Sequence, residues 1–166
     1  QRYKNNIKSA TLSKTKSGRF FLFILIEMNE EEFNQFRHTN NKVGIDLGVK
    51  DFIITSDGEV FKSKHFLKQS EKKIKKLQRQ LSKRVKGSSN RNKIRIKIAK
   101  AFEHLTNQRL DYIHNAVNSL LRAYDYVFME DLNVQGMLRN HNLSKAIQDL
   151  GFYTFKNILK NKAMLN

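Results

Sequence analysis

The chain contains no cysteine. Disulfides and thiolate metal sites are therefore excluded within it. Its longest apolar run, Phe20 to Ile26, falls far short of the roughly 20 residues that span a bilayer. No signal-peptide pattern is read near Gln1, so membrane partners are not expected and a cytoplasmic, nucleoid-associated location is. Histidine is scarce and dispersed. His38, His65, His104, His114 and His141 show no ligand spacing of the HExxH kind, and each reads as a surface or helix residue. Acid is also short, with 15 Asp and Glu against 32 Lys and Arg, a formal net charge of +17.

That excess is concentrated. Between Lys62 and Lys100 stand 16 Lys and Arg against one acid, Glu71. Outside this block the charges nearly cancel. A basic block of such density points to a polyanion, with nucleic acid the leading partner. An anionic membrane surface fits less well, because it usually requires bulky apolar residues along a moderately charged helix.

Along the chain, residues 7–14 read as a strand, and Ser17-Gly18 as a turn. The run from Arg19 to Glu27 then reads as a buried strand that completes a hairpin. Such a run is sticky when exposed and needs a cover. Residues 28–41 are polar and break the pattern, so they are expected to be a linker or short helix between two pieces. Lys42 to about Val49 reads as a strand. Ile53-Ile54, the Ser56-Asp57-Gly58 turn and Val60-Phe61 extend it into an antiparallel meander. From Phe66 the apolar spacing becomes helical, through Ile74, Leu77, Leu81 and Val85. Residues 86–92 read as a turn, and a second helix is expected from about Lys93 to Arg122. Tyr124 to Met129 reads as a buried strand ending in Glu130-Asp131. A last helix is expected from Leu143 to about Met164, with no stop signal after it, as though the chain were cut rather than finished.

The stretch Val43 to Val49 organises this order. Strand alternation places Val43, Ile45, Leu47 and Val49 on one face and Gly44, Asp46 and Gly48 on the other. A carboxylate flanked by glycines suits a metal ion or a phosphate, since glycine in a strand often marks a close approach by a ligand or backbone. An edge strand with an outward Asp satisfies the same seven residues. Glu130 adds a second carboxylate at the carboxyl end of another strand, where open α/β sheets place their ligands. Asp46 and Glu130 together, with no Cys or His nearby, would make a hard oxygen site for Mg²⁺ or Mn²⁺. Two such ions could drive phosphodiester cleavage. A third carboxylate is usual, and Asp51, Asp57, Asp111, Asp125 and Asp131 all read as structural.

Four stretches in order, GIDLGVKDFIITSDG, KIKKLQRQLSKRVKGSSNRNKIRIKIAK, NQRLDYIH and VFMEDLNVQGM, carry a resemblance. They resemble TnpB, also called OrfB, the insertion-sequence transposase family related to type V CRISPR effectors. The segment KSATLSKTKSGRFFLFILIE also resembles the end of that family's N-terminal β-barrel (wedge) domain. The resemblance implies a mixed α/β chain: residues 1–41 as the end of the wedge barrel plus linker, and 42–166 as an incomplete RNase H-like, RuvC-type domain with a basic helical hairpin over about 66–122. It implies an RNA-guided DNA endonuclease, with Asp46 and Glu130 as catalytic, metal-binding acids and Mg²⁺ or Mn²⁺ as cofactor. Guide RNA and target DNA would be its partners. The expected backbone contacts are Lys72, Lys73, Lys75, Lys76, Arg79, Lys83, Arg84, Lys86, Arg91, Lys93, Arg95, Lys97 and Lys100, which meet phosphates without reading sequence.

The same resemblance places the family's zinc ribbon and third catalytic Asp beyond Asn166, so no zinc is expected in this chain and nuclease activity by it alone is in doubt. A catalytically inactive nucleic-acid binder is the alternative. GIDLG also resembles the phosphate loop of the actin and Hsp70 ATPases. Those sequences continue with Thr or Ser where Val49-Lys50 stands here, and they carry no such basic hairpin.

Overall fold

A computed structural model of the chain describes residues 7–27, 40–133, 136, 137, 139 and 141–164. The linker expected over 28–41 lies almost wholly outside the described residues. The chain divides into two compact units, Gln1–Phe36 with Ser70–His104 and Arg37–Gln69 with Leu105–Asn166.

In the first unit, β1 (Ile7–Lys14) and β2 (Phe20–Ile26) form an antiparallel hairpin. Gly18 turns it at φ 92°, a left-handed conformation that glycine adopts at no steric cost. Thr15 Oγ1 and Ser17 Oγ lie 2.7 Å apart across the turn. The expectation of a buried strand fails here, because Phe20 to Leu25 are all exposed. A two-stranded ribbon has two faces, and the apolar side chains of β2 are left exposed on both over Phe20 to Leu25.

The same unit holds most of a helical hairpin. Helix α1 (Phe66–Ser82) and helix α2 (Ser89–Ala123) are joined by a short turn. Both helices are confirmed, with shifted ends: Val85 lies past α1 and is 77 % exposed, and α2 begins at Ser89. Ser88 causes the early start, since its Oγ accepts the Arg91 N–H at 3.2 Å, satisfying a first-turn donor. Arg91 in turn donates to the carbonyls of Leu81 (2.8 Å) and Arg84 (3.1 Å), the orphan acceptors left where α1 ends.

In the second unit, β3 (Lys42–Asp46), β4 (Asp51–Thr55), β5 (Val60–Lys62) and β6 (Tyr126–Met129) form one sheet in the order β5-β4-β3-β6. The β3–β4–β5 meander is antiparallel as expected, and β6 joins β3 in parallel. Parallel neighbours require a long crossover, which α1 and α2 provide in sequence. Val43, Ile45 and Leu47 are buried against Ile113, Ala116, Val117 and Leu120 of α2, with Ile147, Phe152, Phe155 and Leu159 from the last helices. The Phe52 ring sits 5.5 Å edge-on from Phe155 and 6.0 Å from Phe152. Burying each such side chain contributes about 1.5–3 kcal/mol.

Three local expectations are corrected. Strand β3 ends at Asp46, not Val49. The chain turns at once into β4, and a Cβ on Gly48 would stand 2.8 Å from the Asp51 carbonyl oxygen. Gly48 therefore serves a close backbone approach rather than a cleared ligand slot. Strand β6 is only half-buried, with Tyr126 and Phe128 exposed, because helices cover one face of its sheet. The single last helix is two, α3 (His141–Leu150) and α4 (Phe152–Ala163), broken at Gly151 with φ 73°. A Cβ at Gly151 would meet Arg109 Cδ at 3.2 Å, so both conformation and space demand glycine there.

Candidate active site and nucleic-acid arm

The parallel register brings the two predicted acids together. Ile45 pairs with Met129, so the next residues on each strand, Asp46 and Glu130, come level with one another. Opposed residues share a face of a sheet. Here it is the face the helices do not cover, and both acids are exposed. They line an open cleft of about 450 Å³ together with Gly44, Ile54, Ser56 and Phe128.

Most of the other acids among the described residues are engaged, Glu59 excepted. Asp51 pairs with Lys62 at 2.9 Å, Glu71 with Lys75 at 2.8 Å, Glu27 with Lys8 at 2.6 Å, and Asp131 with Lys156. Asp125 accepts the Asn40 N–H at 2.5 Å. Asp57 accepts the Tyr124 hydroxyl at 2.5 Å, which holds its carboxyl below the ordinary value and the phenol above its own. Asp149 is buried, accepting the Leu67 N–H at 3.0 Å and the Arg109 guanidinium at 3.0 Å. Neither Asp46 nor Glu130 has a hydrogen-bond or ion-pair partner among the described residues. The two carboxylates thus stand side by side with no cation partner among the described residues, in a chain with an excess of 17 positive charges.

The donor set can be tested for fit. Both groups are hard oxygen ligands on a rigid sheet, with no sulfur or imidazole beside them, which suits Mg²⁺ or Mn²⁺. Among the described residues no group of three or more His, Cys, Asp or Glu gathers as a metal cluster. Mg²⁺ commonly takes one or two carboxylates and leaves its other positions to water and phosphate oxygens.

The predicted basic residues lie along the hairpin formed by α1 and α2. All of them are exposed except Arg91, whose guanidinium is engaged in the turn. Lys75 is also committed in part, to Glu71 one helical turn earlier. The others form an arm of exposed cations with no ion-pair partner among the described residues. Sequence reading missed Asp149 as the buried acid at the N-terminus of α1, since its burial depends on Arg109 40 residues away. It also read Ser56 only as a turn residue.

Comparison with known proteins decides the family. Residues 23–141 match a family profile described as "Probable transposase" (OrfB_IS605). The chain belongs to this family. A relative from Streptomyces pristinaespiralis, named "Putative RNA-guided DNA endonuclease", is 31 % identical over 93 % of the chain and 38 % of its own length. A second, "Putative RNA-guided DNA endonuclease InsQ" of Escherichia coli K12, is 28 % identical over 98 % of the chain and 45 % of its own length. The chain thus spans less than half the length of these curated relatives. Among the described residues no helix of this OrfB-family chain is long and apolar enough to cross a membrane.

Proposed function

We propose that this chain is the central part of an RNA-guided DNA endonuclease of the OrfB type, with an RNase H-like, RuvC-type sheet. Asp46 and Glu130 are its metal-holding acids. The observation that carries this reading is the pair of level carboxylates, without partners among the described residues, on β3 and just past the end of parallel β6. The names of the relatives support the substrate class.

Asp46 and Glu130 would hold Mg²⁺ or Mn²⁺, which when bound supplies water activation and leaving-oxygen stabilisation for phosphodiester cleavage. The sheet keeps the two carboxylates level and oriented, and their exposure leaves room for a phosphate between them. The basic arm would run along the guide RNA or the RNA–DNA duplex, contacting the backbone and contributing affinity rather than sequence choice.

Cleavage of matched DNA by the protein assembled with its guide RNA in Mg²⁺ tests the site. Asp46→Ala and Glu130→Ala should each reduce cutting to background while leaving RNA binding intact. Cutting at the parent rate by either variant would refute the assignment. The arm is tested separately by affinity against salt. Replacing Lys72, Lys73 and Lys76 with Gln should flatten the slope by about 0.7–0.9 per lost phosphate contact.

A further inference from the structure

The Asp46–Glu130 cleft has an electrostatic difficulty. A phosphodiester carries negative charge, and two carboxylates repel it. A strand seated there gains from any donor the cleft offers. Among the described residues lining the cleft, Thr55 and Ser56 carry side-chain hydroxyls. Thr55 is buried, and its Oγ1 donates to the Glu59 carbonyl at 3.3 Å. Ser56 is different.

At the end of β4 the ladder to β3 is closed half by backbone and half by side chain. The Ser56 N–H donates to the Gly44 carbonyl at 2.8 Å. The Gly44 N–H donates to Ser56 Oγ at 3.1 Å. A serine hydroxyl has one donor proton and two acceptor positions. Gly44 fills one acceptor position, and the proton has no acceptor among the described residues. Ser56 is exposed and lines the cleft.

Nor is Ser56 a loosely held loop residue. Thr55 and Glu59 exchange backbone and side-chain hydrogen bonds at 2.9 Å, Gly58 turns the chain at φ 92°, and Tyr124 holds Asp57. Gly44, opposite Ser56, presents no side chain to screen the hydroxyl. Asp46 pairs with Ile54, so Ser56, two residues further along β4, is its diagonal cross-strand neighbour, about 7–8 Å away on the same face. A nucleic-acid strand crossing the sheet can then set one phosphate before the acids and a neighbouring phosphate before Ser56.

We propose that Ser56 is a phosphate-contacting residue of this cleft, its hydroxyl donating to a non-bridging oxygen of the DNA strand beside the phosphate that faces Asp46 and Glu130. The proposal rests on reading the cleft as the nucleic-acid site.

The test is binding of short, labelled single-stranded DNA to the full chain in Mg²⁺, followed by fluorescence anisotropy. One series of oligonucleotides carries a single neutral methylphosphonate, moved phosphate by phosphate. Ser56→Ala should weaken binding of unmodified DNA roughly three- to tenfold, and Ser56→Thr should restore it. On the oligonucleotide neutral at the contacted phosphate, the Ser56→Ala loss should vanish. A merely structural serine would lose the same amount on every oligonucleotide. That result, or no loss on unmodified DNA, would overturn the contact. Asp46→Ala and Glu130→Ala are measured alongside. If they leave the Mg²⁺-dependent part of the affinity intact, the reading of the cleft is wrong and the Ser56 contact falls with it. If they remove it while the Ser56→Ala loss follows no single phosphate, the Ser56 contact alone is wrong.

Discussion

The two sheets of this protein use apolar residues in opposite ways. Strand β2 is apolar at all seven positions, FFLFILI, yet Phe20 to Leu25 are each at least 42 % exposed. Strand β3 is KVGID, with only two large apolar residues, and both are buried at 6 % exposure or less. Burial is therefore not a property of a strand's composition. It requires a second layer, which α2, α3 and α4 supply to one face of the β3–β6 sheet and which the described residues do not supply to β2. The contrast also bears on the proposed acid site. A sheet covered on one face can hold its inward residues rigid and leave outward Asp46 and Glu130 open to a ligand.

This comparison can be broken most sharply at the covered face. Phe155 is fully buried against Phe52, and Phe155→Ala should cost about 3–5 kcal/mol in urea unfolding. A loss below about 1 kcal/mol would mean that the helical layer does not hold the sheet. Next comes Asp149, whose carboxylate serves both the Leu67 N–H and Arg109. Removing it strands a guanidinium that is 22 % exposed, so Asp149→Ala should cost about 3 kcal/mol, the low end for breaking a buried pair. Arg109→Met with Asp149→Leu should recover part of that loss, since a matched apolar pair leaves no stranded charge.

The uncovered sheet should respond weakly. Phe23→Ala removes a ring that is 60 % exposed and should change stability by no more than about 0.5 kcal/mol. A cost equal to that of Phe155→Ala would show β2 to be covered in solution and would remove the contrast. The smallest effect belongs to Asp57, at the β4–β5 turn. Its folded pKa is lowered from 3.8, first by the Tyr124 hydrogen bond. The stability it contributes is present above the unfolded value and is lost as pH falls through the folded one. Tyr124→Phe should therefore lose slightly more stability at neutral pH than at a pH well below 3.8, measured as the difference between two urea titrations.

Much of the second unit is legible in the residues. Val43, Ile45 and Leu47 alternate with Gly44 and Asp46, and alternation of that kind specifies one buried face. The helical spacing from Phe66 announces α1, and the turn residues at Ser56-Asp57-Gly58 announce the meander. The resemblance carried by GIDLG and VFMED names the family that the comparison then shows. Other features were not legible for particular reasons. Gly151 looks permissible within a helix until the side chain of Arg109 is seen to occupy the space of its Cβ. Arg91 counts as one more cation until its guanidinium is found on the carbonyls of Leu81 and Arg84. Asp149 stands in an ordinary amphipathic helix and acquires its role only from partners distant in sequence.

By itself the sequence determined most of the elements, the sign and position of the charged arm, and the two acids proposed for the site, because period, composition and motif are local properties. Only the tertiary structure decided that Ile45 pairs with Met129 and so brings Asp46 level with Glu130. It alone decided that, among the described residues, these two carboxylates have no cation partner and β2 has no cover. Each of those outcomes depends on which residues meet across long separations, and pairing at that distance is set by packing rather than by any single segment.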